Sequence, residues 1–112
     1  MEGAGLRDDS LVRQAVDCFG WKYQLKKALQ EYSEALTAGL KYLESLDSNS
    51  SRDKEIALND FIGEIADTEV VNGCLREIFG HSAIAEAKLK AEKKLLGIIE
   101  ARRGSQDLRQ HA

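Results

Sequence analysis

The chain has 112 residues, 43% of them apolar and 31% charged, which suits one small globular domain and leaves no length for a second. A chain this long would carry about five or six prolines at average usage, and it has none, which favours helices over strands and irregular loops. Sixteen Lys and Arg against nineteen Asp and Glu give a net charge of −3, the wrong sign for a protein that lives on phosphate backbones, so nucleic acid is not expected as a partner.

No uncharged stretch approaches the ~20 residues needed to span a bilayer, and no short apolar run follows a basic N-terminus, so a cytoplasmic protein without a membrane partner is expected. Cys18 and Cys74 are the two cysteines. Both fall inside helical patterns, away from any zinc or CxxC signature, and read as reduced packing residues.

Residues 1–7, with two glycines and no periodicity, read as a flexible arm. From Asp8 to Phe19 the apolar positions Leu11, Val12, Ala15, Val16 and Phe19 describe a short amphipathic helix stopped by Gly20. A long helix follows from Trp21 to about Leu46, with Leu25, Leu29, Tyr32, Leu36, Leu40 and Leu43 at helical spacing. The polar run Asp47–Ser51 ends it, because short polar side chains compete for backbone hydrogen bonds and favour turns and N-caps. A third helix is expected from about Arg52 to Phe79. Gly80 stops it, and a fourth begins at His81 or Ser82 with a stripe of Ile84, Ala87, Ala91, Leu95 and Ile98. Residues 104–112 read as a flexible polar tail, so the domain is expected to span 8–103. The fold expected is all-α, a helical bundle of one short and three longer helices.

Advancing 100° per residue from Leu29 puts Glu34 and Glu31 about 140° and 200° away, on one face with Gln24, Lys27, Ala35 and Ala38. Alanines there let another helix approach closely. On the third helix, Leu58, Phe61, Ile62 and Ile65 form one apolar stripe and Val70, Val71, Cys74 and Ile78 another, with Glu64 and Asp67 among the second set. A helix apolar on two sides is sandwiched, which predicts completion of the bundle by oligomerisation. Carboxylates between buried side chains are costly unless a cation or hydrogen bonds compensate. Two acidic pairs at i,i+3 spacing on adjacent antiparallel helices would surround one point with four carboxylates. Such a cluster either raises its pKa values or holds a divalent cation. An oxygen-only donor set favours magnesium or manganese, whose natural substrate is a phosphate ester.

The run Gln30-Glu31-Tyr32-Ser33-Glu34, followed by Glu64-Ile65-Ala66-Asp67, resembles the Glu-Glu-x-x-Glu, spacer, Glu-x-x-Asp signature of the MazG-like all-α nucleoside triphosphate pyrophosphohydrolases. The flanking Phe19–Leu25, together with Glu69 and Leu75–Gly80, is similar to the short phage and bacterial members, and the resemblance covers about residues 8–100. Gln30 stands where the family has its first Glu, and the 29-residue spacer between Glu34 and Glu64 is long for the family. The resemblance implies a magnesium-dependent enzyme, with manganese as a substitute, that cleaves a nucleoside triphosphate to the monophosphate and pyrophosphate. It further implies Glu31, Glu34, Glu64 and Asp67 as metal-binding and catalytic acids, and assembly as a homodimer or homotetramer.

Trp21, Gln24 and Lys27 are the candidate substrate contacts. An indole at a helix start can stack on a base, although a core anchor is the blander role. Gln24 and Lys27 precede Glu31 on the acidic face and can reach base or phosphate, although Lys27 and Glu31 also form an ordinary i,i+4 pair. Lys88, Lys90, Lys93 and Lys94 keep no common face and read as solubilising charge, His81 as a helix-start residue, and Glu69 as a fifth acid or a solvated one. The competing function is a non-catalytic, oligomeric helical interaction protein of the same fold. Magnesium would raise the melting temperature of the enzyme and leave the interaction protein almost unchanged. A helical di-iron protein would need Glu-x-x-His pairs, which His81 and His111 do not supply.

Overall fold

A computed structural model describes residues 8–111, so the arm inferred for residues 1–7 lies outside the described residues. Four helices account for nearly all of them: α1 (Asp8–Phe19), α2 (Trp21–Ser45), α3 (Ser51–Phe79) and α4 (His81–His111). The all-α expectation holds, and the helix starts fall within a residue of the positions that periodicity and stop signals indicate.

Each junction follows from the residue type that occupies it. Gly20 has φ +87°, a backbone region that L side chains avoid and glycine enters freely. Its N–H closes α1 on the Val16 carbonyl at 2.8 Å, and its own carbonyl accepts the first bond of α2, from the Gln24 N–H at 3.1 Å. One residue thus ends one helix and begins the next. Gly80, at φ +104°, stands in the same place between α3 and α4. Between α2 and α3 the serines act as read from sequence: the Ser50 hydroxyl accepts the Asp53 N–H at 3.2 Å, capping α3, and the Ser48 hydroxyl accepts the Ser50 N–H at 3.0 Å.

The described residues divide into two compact units, one ending at Ile78 and the other beginning at Phe79. In the first, α2 and α3 run antiparallel. The Tyr32 hydroxyl donates to the Asn72 side-chain oxygen near one end, and the Tyr42 and Phe61 rings stack at 6.2 Å near the other. Gly39 lets this pair close, because a Cβ there would meet the Phe61 ring at 3.1 Å. Helix α1 packs where α3 ends: Val12 lies so close to Gly73 that a Cβ would stand 3.0 Å from it, and Arg13 pairs with Glu77 at 3.4 Å.

The buried set is small: Val12, Ala28, Val71 and Cys74, with Gln24 and Glu31 the buried polar residues. The leucine stripe of α2 is not among them. Leu29, Leu36, Leu40 and Leu43 are all more than half exposed, Leu36 at 65%. α2 meets its neighbours instead through the face carrying Gln24, Ala28, Glu31 and Tyr32. On α3 the stripe of Leu58, Ile62 and Ile65 is likewise exposed, while Val71 and Cys74 of the second stripe are buried.

The second unit differs from its sequence-based expectation in two ways. Leu95 and Ile98 of its stripe are more than half exposed, so hydrophobic spacing overstated the burial of α4. The inferred tail from residue 104 is helical through His111. Gly104 adopts no positive φ and so provides no stop, and the following Gln, Leu and Arg are good helix formers.

Candidate functional site

Glu31 and Glu34 lie one turn apart on α2, and Glu64 and Asp67 one turn apart on the antiparallel α3. Opposite chain directions bring the two pairs alongside each other. The result is visible on Glu64, a half-buried carboxyl that the fold holds above its ordinary value. Desolvation is the largest cause, followed by the charges of Glu34, Asp67, Glu31 and Asp60. All four acids of the motif therefore share one electrostatic neighbourhood, and Asp60, one turn before Glu64, joins them.

Their environments differ. Glu31 is 6% exposed, with its carboxylate 3.9 Å from the Lys27 ammonium; Glu34 and Asp67 are exposed. Among the described residues no three acidic, histidine or cysteine side chains converge closely enough to hold an ion. The donor chemistry, oxygen only and crowded with negative charge, fits a hard divalent cation.

A groove of about 500 Å³ opens beside the acids, along the seam between α2 and α3. Glu34, Thr37 and Lys41 line it from α2, and Asp53, Asp60 and Glu64 from α3, over apolar walls of Ala38, Ile56 and Ala57. The volume lies in the ~300–1,000 Å³ range typical of small-molecule sites. Asp60 and Lys41 were absent from the sequence-based candidates. The signals were present: Asp60 is four residues before Glu64, and Lys41 is seven after Glu34 on the same helical face.

The candidate substrate contacts are dispersed. Gln24 is 6% exposed on the packed face of α2. Lys27 is paired with Glu31. Trp21 lines a different, shallower groove of about 540 Å³ with Leu25, Leu29 and Gln30, and the Lys22 ammonium lies 5.5 Å from its ring centre. Gln30, the residue that departs from the MazG-like signature, thus belongs to this apolar side of α2 and not to the acidic groove. The two thiols are free; Cys74 is buried, which raises its pKa, and Cys18 is exposed. No helix among the described residues is long and apolar enough to cross a membrane.

No family model, curated protein or solved structure matches the chain.

The raised pKa of Glu64 has a consequence for stability. Folding favours its protonated form, so its contribution is present below the ordinary carboxylate range and is lost as pH rises through the raised value. Glu64→Gln is expected to melt higher than the wild type near neutral pH, with the difference gone at about pH 3, below the ordinary carboxylate range, where the wild-type group is protonated in both states. Paired thermal melts at the two pH values in metal-free buffer check this. A variant that melts lower at neutral pH would show that Glu64 is held by favourable contacts rather than crowded by neighbouring charge.

Proposed function

We propose that the chain is a MazG-like nucleoside triphosphate pyrophosphohydrolase whose chemistry takes place at Glu31, Glu34, Glu64 and Asp67, with magnesium, or manganese in its place, as the cofactor. The observation that carries this reading is the convergence of the charges of Glu31, Glu34, Asp67 and Asp60 on Glu64, at the edge of a groove large enough for a nucleotide. A structural role gives no reason to gather five acids on one seam, where four of them raise the cost of ionising the fifth, Glu64. A divalent cation removes that cost and neutralises the phosphates that such a groove would otherwise repel.

Bound there, the cation would supply charge neutralisation and a water of lowered pKa. The protein's own part is positional. Glu34 and Asp67, both exposed, provide oxygen donors from opposite helices. Buried Glu31 is fixed by its packing and by Lys27. Glu64, whose affinity for a proton is already raised, is suited to accept one from the attacking water.

The decisive measurement is turnover of a panel of ordinary and modified triphosphates in ¹⁸O water with magnesium. Label in the monophosphate, with pyrophosphate released, is expected. Label in free orthophosphate, or no turnover across the panel, overturns the proposal.

The exposed leucines favour a second element of the reading, assembly as a homodimer or homotetramer. Measured from the α2 face that packs on α3, the groove residues lie about 100° to one side and the leucine stripe about 100° to the other. On antiparallel α3, Leu58, Ile62 and Ile65 fall on that same leucine side. Pairing of two copies through this surface would cover the apolar residues and leave the acidic groove open.

A further inference from the structure

The groove runs beyond the acids toward the α2–α3 turn, and Lys41 is the cation on its lining. Lys41 lies two helical turns, about 10.5 Å along the axis, beyond Glu34 and within ~20° of it around the helix. It is exposed, and among the described residues no carboxylate pairs with it, whereas Lys27 at the other end of the acidic face is engaged by Glu31. Asp53 and Asp60 keep the groove acidic as a whole. A bare anion would be repelled, whereas a polyphosphate that carries its own divalent cation is repelled less and offers the carboxylates a cation to bind. Such a ligand has two demands, oxygen donors for the metal and a positive charge for the phosphate oxygens farthest from it. The acids at one end of the groove, Glu34 among them, meet the first, and Lys41 meets the second at the other.

We propose that Lys41 holds the pyrophosphate portion of the substrate and thereby sets which phosphorus is attacked. The assignment rests on the pyrophosphohydrolase reading above and adds the direction in which the substrate lies. With the two distal phosphates drawn along the groove toward the turn, the phosphorus left over the acids is the α phosphorus. Water adds its oxygen to that phosphorus, and the bond from it to the α–β bridging oxygen breaks. The electron pair leaves with pyrophosphate, and the water's proton passes to a carboxylate of the cluster. Lys41 meets the charge that develops on the leaving group. With the opposite orientation, the distal phosphates would point toward Lys27, which is already paired.

The test uses the full chain and magnesium pyrophosphate as the probe, titrated by calorimetry into the wild type, Lys41→Met and Lys41→Arg. Loss of a charge-assisted contact predicts pyrophosphate binding weakened about tenfold or more in Lys41→Met and largely restored in Lys41→Arg. Manganese binding, followed by its paramagnetic resonance signal, is expected to be the same in all three, as is the affinity for a magnesium nucleoside monophosphate. Equal pyrophosphate affinity in wild type and Lys41→Met, with manganese binding intact, overturns the Lys41 assignment alone. No manganese binding by the wild type removes the reading beneath it and the assignment together. Equal weakening toward monophosphate and pyrophosphate in Lys41→Met also overturns it, because the lysine would then act on general charge and not on the leaving group.

Discussion

Glu34→Gln and Asp67→Asn are each expected to abolish triphosphate hydrolysis while leaving the metal-free melting temperature unchanged or higher. Both side chains are exposed, so an amide in place of the carboxylate buries nothing unpaired and opens no cavity. Both charges raise the cost of ionising Glu64, and neutralising either relieves it. The chemical loss has a separate origin: an amide is a poor ligand for a hard cation and cannot offset the charge of phosphate-bound metal. Removing one such electrostatic group costs at least about 10²–10³ in rate. Pyrophosphate release measured beside thermal melts in chelator separates the two effects. Variants that lose activity only because they unfold would make the acids structural and remove the site assignment. Glu31→Gln is the less clean companion, since Glu31 is buried against its neighbours and its loss also frees Lys27.

The fold was legible because its punctuation is local. Gly20 and Gly80 take the positive φ that their positions suggested, and the serine turn caps α3 through Ser50. These devices act within a few residues and leave a direct mark in sequence. The small-residue face of α2 was legible only in part: Ala35 and Ala38 read from sequence as permitting close approach, whereas the residues at the tight contacts are Ala28, which is fully buried, and Gly39, which faces the Phe61 ring. What covers the leucine stripe was not legible. A 3.6-residue period reports that a face is apolar and does not say whether its cover comes from the same chain, and here the single chain buries the Gln24–Ala28–Glu31 face instead. The tail failed on a related point: Gly104 in the run after α4 resembles Gly80 in type, but a glycine stops a helix only where the backbone turns left-handed there.

Of the candidate site, the sequence indicates the placing of the acids on shared helix faces but not the groove beside them. Spacing alone identifies Glu31 with Glu34 and Glu64 with Asp67 as pairs that share a face. The candidate contacts Trp21, Gln24 and Lys27 precede Glu31, whereas the groove lies on the other side of the acids, toward Lys41. Its lining depends on the register of α2 against α3, which places Lys41 near Asp53 and Ile56. That register is set by contacts such as Tyr32 to Asn72 and Gly39 to Phe61, which are separated by 40 and 22 residues in sequence and carry no local signature.

Leu36→Glu combined with Leu40→Glu is expected to convert an oligomer to a monomer and to lower its melting temperature, with the helical content of the monomer retained at low temperature. Seven half-exposed aliphatic side chains, from Leu29 to Leu43 on α2 and Leu58 to Ile65 on α3, offer roughly 700 Å² on each copy, close to the ~800 Å² per partner of a standard stable interface. Full burial of a leucine contributes ~1.5–3 kcal/mol; with roughly half of that surface still to be covered on pairing, the four leucines lost per pair weaken association by at least about 10² before the repulsion of the new charges is counted. Inside one chain the same leucines touch little, being 65% and 54% exposed, so the substitutions leave the α2–α3 contacts at Tyr32, Gly39 and Phe61 intact. Sedimentation at micromolar concentration reads the mass directly, and circular dichroism reads the retained helix. A wild-type chain that sediments as a stable monomer would overturn the interface. A double variant that keeps its oligomeric mass would move the interface away from the leucine face and leave that face without a cover.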